Sequence, residues 1–116
     1  MTDLVVKSAY ATVAEEDGER FVGFVGPRDE TYALFRQPLT GGPVWFEVND
    51  EDFGAEDAIE AAVIGTGGLE ITLRPKLAGR FGYARGVAIR LKGCSGAAEA
   101  MTVLSGMLGV SLQADP

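Results

Sequence analysis

Residues 44–49, Val-Trp-Phe-Glu-Val-Asn, alternate in character from one position to the next. Because successive side chains point to opposite sides of a strand, Val44, Phe46 and Val48 share one face, which predicts a strand with an apolar core side. Directly afterwards, residues 50–60 carry six carboxylates. Carboxylates are rarely buried without partners, so this stretch is expected at the surface. The chain is therefore predicted to display negative charge at the end of a core strand.

The same period-two pattern recurs along the chain, interrupted by turns rich in glycine and proline. Residues 4–13 are predicted to form one strand, with Leu4, Val6 and Tyr10 on one face. Residues 58–64 are ambiguous, since their alanines and glutamate favour a helix while their alternation favours a strand, and we assign a strand. The predicted strands cover residues 4–13, 21–25, 31–36, 44–49, 58–64, 69–74 and 87–92.

One long helix is predicted in the C-terminal part of the sequence, where apolar residues recur at spacings of three and four. Ser95 is its expected N-cap, and Gly109 is its expected end. A short helical turn is predicted at residues 76–78, between Pro75 and Gly79. The apolar face of the long helix is formed by Ala97, Met101, Leu104 and Leu108.

A chain of 116 residues, 47% of them hydrophobic, is expected to form a single domain, residues 1–116, around one core. We predict an α+β fold: a curved, mainly antiparallel β-sheet of about six or seven strands with one C-terminal helix packed on one face. The expected core joins two strands to the helix. It consists of Ile71, Leu73, Val87, Ile89, Leu91, Met101, Leu104 and Leu108.

The formal net charge is −7, and it is unevenly distributed. The first 60 residues contain fourteen acids and four bases, whereas the rest contain three acids and six bases. Solvation and solubility account for part of this asymmetry. Phosphates would repel such a chain, so we expect no nucleic-acid partner.

The chain has no histidine and a single cysteine, Cys94. The lack of histidine excludes Ser-His and Cys-His nucleophile systems and histidine-containing metal sites. Paired carboxylates do not indicate catalysis unless an apolar pocket raises the pKa of one of them. We therefore expect that the protein is not an enzyme and needs no cofactor. Cys94 cannot form an internal disulfide, and we interpret it as a structural thiol.

A calcium loop is an alternative interpretation of the acidic stretch. Asn49, Glu51, Gly54 and Glu60 fall on positions one, three, six and twelve of an EF-hand register. Phe53 falls on position five, which is a ligand position, and the preceding segment is a predicted strand where an EF-hand has a helix. We therefore expect no metal site.

No apolar run reaches the roughly 18 residues of a membrane helix, and the first residues lack the pattern of a secretory signal. We expect a cytoplasmic protein with no membrane partner. An unpaired edge strand has to be covered, charged or paired, which leaves a homodimer open.

The acidic stretch is the candidate partner-binding site, because carboxylates crowded into one segment repel one another without helping folding. An aromatic residue beside them would supply the buried contact of an interface. For Trp45 two interpretations stay open, packing beneath a neighbouring loop or anchoring a partner. The candidate partner-binding residues are Trp45, Asp50, Glu51, Asp52, Phe53, Glu56 and Asp57.

The second half of the chain resembles the Imm10 group of bacterial immunity proteins. The resemblance spans residues 43–109 and rests on short sequence motifs and on the order of the strands. These motifs are Val44-Trp45-Phe46-Glu47-Val48-Asn49-Asp50, Ala58-Ile59-Glu60, Leu69-Glu70-Ile71-Thr72-Leu73-Arg74-Pro75, Leu77-Ala78 and Val87-Ala88-Ile89, and a terminal helix follows them. The alanine-rich, weakly charged helix stands where the family carries more acids.

The resemblance implies a small cytoplasmic immunity protein that binds and neutralises a cognate bacterial toxin. The acidic composition points independently to a binding protein, and a basic toxin would suit an acidic surface. The alternative is a small-ligand-binding or accessory β-domain, in which a concave apolar pocket in the sheet holds the ligand.

Overall fold

The computed structural model describes residues 3–28, 30–109 and 112–114. Within these ranges the chain forms ten strands, one 3-10 helix and one α-helix. The first six strands are β1 Leu4–Lys7, β2 Tyr10–Glu16, β3 Glu19–Val25, β4 Tyr32–Pro38, β5 Trp45–Val48 and β6 Gly54–Glu56. The remaining elements are β7 Ile59–Gly65, β8 Gly68–Leu73, the 3-10 helix Pro75–Phe81, β9 Gly86–Arg90, α1 Ala97–Leu108 and β10 Leu112–Ala114.

The α+β class, with mainly antiparallel strands and a C-terminal helix, is confirmed, but the strands form two sheets where one curved sheet was predicted. The antiparallel sheet has the order β2-β3-β4-β5-β6, so each strand pairs with the next one in sequence. The mixed sheet has the order β1-β9-β8-β7-β10, and its two edge strands run parallel to their neighbours. The inner faces of both sheets contribute to one hydrophobic cluster.

The predicted strand over residues 4–13 is in fact two strands, because the chain changes sheet at Ser8 and Ala9. The backbone N–H of Ser8 donates to Arg90 O in the mixed sheet at 2.9 Å, and that of Ala9 donates to Val25 O in the antiparallel sheet at 2.7 Å. Leu4 and Val6 face the core, but Tyr10 is 38% exposed. The prediction that Tyr10 shares a face with Leu4 and Val6 was therefore wrong, because Tyr10 begins β2 in the other sheet.

Helix α1 packs against β2 and β3 of the antiparallel sheet. Its expected N-cap is corrected: Gly96, with φ 79°, holds that position, and no side chain caps the helix. The backbone of Ser95 bonds instead to both neighbours of Tyr10, with Ser95 N–H donating to Ala9 O and Ala11 N–H donating to Ser95 O. Gly109 ends the helix as predicted.

The 3-10 helix begins at Pro75 as expected but runs past Gly79 to Phe81. Its C-cap is Gly82, which adopts the left-handed conformation with φ 64°. The core prediction holds for most residues. Ile71, Leu73, Val87, Ile89, Leu104 and Leu108 are buried, while Leu91 and Met101 are partly buried and pack against the cluster.

Candidate functional site

The outward side of the antiparallel sheet carries aromatic and aliphatic side chains. Its inward side supplies core residues such as Phe35 and Phe46, and the alternate positions of the same strands point the other way. These outward side chains are half-buried, with the exception of Glu47, which is buried. We call this set the outer aromatic face, and its members are Phe21, Val25, Tyr32, Leu34, Arg36, Trp45 and Glu47.

Glu47 is the unusual member, because an acidic residue on the outward side of a sheet is only 6% exposed. The hydroxyl of Tyr32 donates a hydrogen bond to Glu47 Oε2, and the indole N–H of Trp45 donates to Glu47 Oε1 at 2.7 Å. Hydrogen bonds to a charged acceptor are the stronger kind, and they offset the loss of water around the carboxylate. Glu47 thus holds two aromatic side chains in fixed positions on the surface.

The Tyr32 hydroxyl is correspondingly hard to ionise. Burial raises its pKa above the ordinary tyrosine value, and the hydrogen bond to Glu47 raises it further. The charges of Glu47, Asp50 and Glu51 act in the same direction. Tyr32 is therefore neutral at physiological pH and remains a hydrogen-bond donor to Glu47.

Trp45 lies in a close-fitting position on this face. A Cβ atom placed on Gly54 of the neighbouring strand would lie 2.7 Å from Trp45 Cζ2, so the indole occupies the space above that glycine. Arg36 Cζ lies 5.0 Å from the centroid of the ring, within cation–π range, and Arg36 Nε is 3.3 Å from Glu19 Oε2. Trp45 is thus partly exposed and contacted by Glu47, Arg36 and the backbone at Gly54.

The acidic turn, residues 50–53, joins β5 to β6 at one end of the outer aromatic face. Asp52 N–H donates to Asp50 Oδ1 at 2.8 Å, and Phe53 N–H donates to Asp50 O at 3.0 Å. Asn49, with φ 65°, ties the turn to the face, because its Oδ1 accepts from Tyr32 N–H at 2.9 Å. Asp50, Glu51 and Asp52 are all exposed. Three of the predicted carboxylates therefore form one fixed acidic cluster.

The other two predicted carboxylates lie apart from the turn. Glu56, on the edge strand β6, is the cross-strand partner of Trp45 and is exposed. Asp57 follows β6 and forms an ion pair with Arg74, with 3.1 Å between Oδ1 and Nη2. Glu56 thus borders the outer aromatic face, whereas the charge of Asp57 is largely offset.

Phe53 is 46% exposed and borders a cleft of about 360 Å³ between the acidic turn and the segment after the 3-10 helix. Tyr83, on the opposite side, is 81% exposed. Sequence reasoning selected Phe53 but missed Tyr83. The only local signal was an aromatic residue after a glycine between two elements, which is too common to single out.

The calcium interpretation is not supported by the arrangement of the loop. Gly54 begins strand β6 and Glu60 lies in β7, so the twelve residues do not wrap around one point. Across the described ranges, no group of three or more cysteine and carboxylate residues is placed to hold a metal ion. Cys94 Sγ lies 3.2 Å from Ser8 Oγ, at the point where the chain changes sheet.

No helix in the part of the chain that the structure describes is long and apolar enough to cross a membrane. Comparisons with models of known families, with curated protein sequences and with solved structures find no match for this chain. Function is therefore inferred from the chemistry of the site, because a fold alone does not identify one. The outer aromatic face and the acidic turn are the strongest candidate.

Proposed function

We propose that this chain is an immunity protein that binds and neutralises a cognate bacterial toxin by direct contact and carries out no catalysis. The binding surface is the outer aromatic face together with the acidic turn. The observation that carries the proposal is the half-exposed Trp45, held in place by a buried carboxylate and bordered by exposed acids. A rigid aromatic anchor beside a polar rim is the arrangement of a protein interface.

The aromatic side chains supply the binding energy in this proposal. Tryptophan, tyrosine and arginine dominate the energetics of measured interfaces, and all three occur here as Trp45, Tyr32 and Arg36. Their hydrogen bonds and ring contacts already restrict them in the unbound protein. Side chains that are ordered before binding lose less entropy on association, so the face is preorganised for a partner.

The charge around the face indicates a basic partner. Among the described residues, Arg36 is the base on the outer aromatic face, and it is already paired with Glu19. The acids along its border are Glu19, Asp50, Glu51, Asp52 and Glu56. Such a field accelerates association with a positively charged protein and disfavours acidic partners.

The resemblance to the Imm10 group supports the same assignment, because one of the similar sequence motifs forms strand β5, which carries Trp45 and Glu47. It supplies the kind of partner, a protein toxin, which the geometry by itself does not name. A toxin with a basic surface matches the acidic border. The proposal includes a cytoplasmic location, since members of that group act in the cytoplasm.

A small-ligand-binding domain is the alternative that the cleft beside Phe53 would favour. Ligand sites usually surround most of the ligand with largely apolar walls. Here Phe53 and Tyr83 are exposed, and the cleft is open to solvent between them. The arrangement supports a contact point within a protein interface better than an enclosed ligand site.

The experiment is to co-express this chain with the product of each open reading frame adjacent to its own gene, to identify one that is toxic, and to measure both growth and binding of the purified proteins. We expect wild-type protein to restore growth and to form a complex, and Trp45→Ala to weaken that complex. Val5→Ala is the control, because Val5 is an exposed apolar residue, 45% accessible, on a strand of the other, mixed sheet. Normal binding by Trp45→Ala, or no complex with wild-type protein, would refute the proposal.

A further inference from the structure

The cleft between the acidic turn and the 3-10 helix has features that the proposed interface does not yet use. Its lining includes Val48 and Phe81, which belong to the hydrophobic core, and the exposed residues Phe53 and Tyr83. The Tyr83 ring lies against the 3-10 helix, since a Cβ atom on Gly79 would be 3.8 Å from Tyr83 Cε1. A Cβ atom on Gly82 would lie 3.7 Å from Phe53 Cε1, so the Phe53 ring packs directly beside that turn. The cleft is therefore an apolar slot lined by two exposed aromatic residues.

Tyr83 is held in this position by the backbone. Its φ angle is 67°, a left-handed conformation that is unfavourable for a bulky residue, and it follows Gly82 in the same conformation. The N–H of Tyr83 donates to Ala78 O at 2.8 Å, and the N–H of Ala84 donates to Phe81 O at 3.2 Å. These hydrogen bonds keep the turn closed and leave the ring 81% exposed at the rim.

The charges around the slot are mainly negative. Asp3 lines it, and one of its carboxylate oxygens accepts a hydrogen bond from the backbone N–H of Arg85 at 2.7 Å. The acidic turn, which carries Phe53, adds three exposed carboxylates. Asn49 and Phe53, which flank those carboxylates in the chain, line the slot, whereas Arg80 and Arg85 are not among its lining residues. The slot thus combines an apolar floor, two aromatic rings and an excess of negative charge.

We propose that this slot binds an arginine side chain of the protein partner. An arginine carries an apolar stem that suits the floor and a planar guanidinium that stacks on aromatic rings and pairs with carboxylates. An anionic side chain would be repelled by the same charges. A purely apolar side chain would gain nothing from the carboxylates. This inference rests on the proposed function, since it names the residue type by which the partner is recognised.

The test uses N-acetyl-arginine amide as the probe and N-acetyl-citrulline amide as its control, because citrulline has nearly the same shape but no charge. Each compound is titrated into ¹⁵N-labelled protein at millimolar concentrations while amide shifts are recorded. We expect the arginine compound to move the amides of Asn49, Phe53, Gly82 and Tyr83, and to bind more weakly as salt is added. Equal shifts from citrulline, or shifts spread over the whole surface, would contradict the proposal.

Two substitutions of Tyr83 distinguish the contribution of its ring to arginine binding from that of its backbone conformation. Tyr83→Asn removes the ring but tolerates a positive φ, whereas Tyr83→Phe keeps the ring. Loss of one aromatic side of the slot should weaken arginine binding about 2- to 5-fold in Tyr83→Asn and leave Tyr83→Phe near wild type. Leu39→Asn is the control, since Leu39 is 43% exposed and follows the opposite end of β4. Unchanged binding by Tyr83→Asn would overturn the assignment.

The arginine slot and the proposed function fail in different ways. If the toxin binds Tyr83→Asn as tightly as wild type, the slot is not used and the interface proposal stands. If no toxin binds but the arginine compound still titrates into the slot, the slot is a cation site and the immunity function is wrong. The binding measurement on the isolated protein and the measurement on the complex therefore decide the two questions separately.

Discussion

The indole Nε1 of Trp45 donates a hydrogen bond to the carboxylate of Glu47, two residues further along the same strand, at 2.7 Å. Residues two apart on a strand share a face, so this pair lies on the outward side of β5 and not in the core. The second carboxylate oxygen accepts from Tyr32 on the neighbouring strand. One buried acid thus fixes two aromatic rings that a partner can contact.

The hydroxyl of Tyr32 makes stability depend on pH in the alkaline range. Burial, followed by Glu47, raises the pKa of Tyr32 in the folded protein, whereas an unfolded tyrosine titrates near about 10. Below that pH the tyrosine is protonated in both the folded and the unfolded state, so it does not make stability depend on pH. Above it the unfolded chain releases its proton first, so stability falls as pH rises. The free energy of unfolding should fall by well under about 1.4 kcal/mol per pH unit, which is the limit for one fully buried group, because solvent screens a half-exposed residue.

Tyr32→Phe isolates that contribution from the titration of the other tyrosines and the lysines. Urea denaturation of both proteins between about pH 9 and 11 should show a steeper decline for wild type than for the variant. Parallel declines would mean that the pKa of Tyr32 is the same in the folded and unfolded states.

Gly54→Ala should displace Trp45. The added Cβ would lie 2.7 Å from Trp45 Cζ2 and 2.8 Å from Glu47 Cβ, closer than atoms can approach without movement. We expect a loss of about 1–3 kcal/mol in the free energy of unfolding, together with a change in tryptophan fluorescence.

Gly106→Ala is the matched control for that substitution. Gly106 lies within α1 and has no atom within 4 Å of an added Cβ. Alanine is favoured over glycine inside a helix by about 0.5–1 kcal/mol, so this variant should gain stability and keep the native fluorescence. A destabilised Gly106→Ala would show that glycine is required there for another reason.

Neutralising the acidic turn should slow association with the toxin while leaving dissociation nearly unchanged. The variant carries Asp50→Asn, Glu51→Gln and Asp52→Asn, and the asparagine oxygen at position 50 preserves the acceptor for Asp52 N–H. Charge fields of this kind change association rates by about 10- to 1,000-fold at low salt. Stopped-flow or surface-based kinetics at several salt concentrations would measure the effect.

Asp57→Asn and Trp45→Ala are the comparison variants for this kinetic experiment. Asp57 is paired with Arg74, so its neutralisation should alter association much less. Trp45→Ala removes the anchor and should accelerate dissociation, by an amount equivalent to about 2 kcal/mol or more for an interface hot spot. An association rate that is the same in the triple variant and in wild type at low ionic strength would place the partner surface elsewhere.

Ile89→Ala should destabilise the fold by about 2–5 kcal/mol, through lost burial and a cavity. Ile89 is fully buried on β9, where its register partners are Val6 on β1 and Leu69 on β8. Chemical denaturation monitored by circular dichroism measures the loss. A change below about 1 kcal/mol would mean that the core relaxes into the space that the side chain leaves.

The sequence pattern predicts the longer strands but not the shortest ones. Alternation within residues 69–74 and 87–92 correctly predicted strands β8 and β9. Residues of β8 alternate between buried and exposed, as the pattern implies, but β9 is covered on both faces, since Ala88 is as buried as Val87 and Ile89. The same logic placed Glu47 and Trp45 on the outward side of β5. Strands β6 and β10, each of three residues, were not predicted, since three residues are too few to establish a period.

The grouping of the candidate site was likewise decided by pairing between strands. In the sequence the five carboxylates look like one cluster, but β6 separates Asp57 from the acidic turn, and Arg74 draws it into an ion pair. Tyr83 lies 30 positions after Phe53, yet both residues line one cleft together with Gly82. No local pattern predicts that proximity.

Sequence by itself determined the α+β class, most of the strands and, in strands such as β5 and β8, which residues share a face, because side-chain alternation and helical spacing are local properties of the chain. Tertiary structure decided that the strands divide into two sheets at Ser8 and Ala9, that Glu47 is buried and bonded to Tyr32 and Trp45, and that Phe53 and Tyr83 line one cleft. These relationships depend on which distant strands pair. That choice is made by the packing of one shared core, to which residues far apart in the chain contribute together.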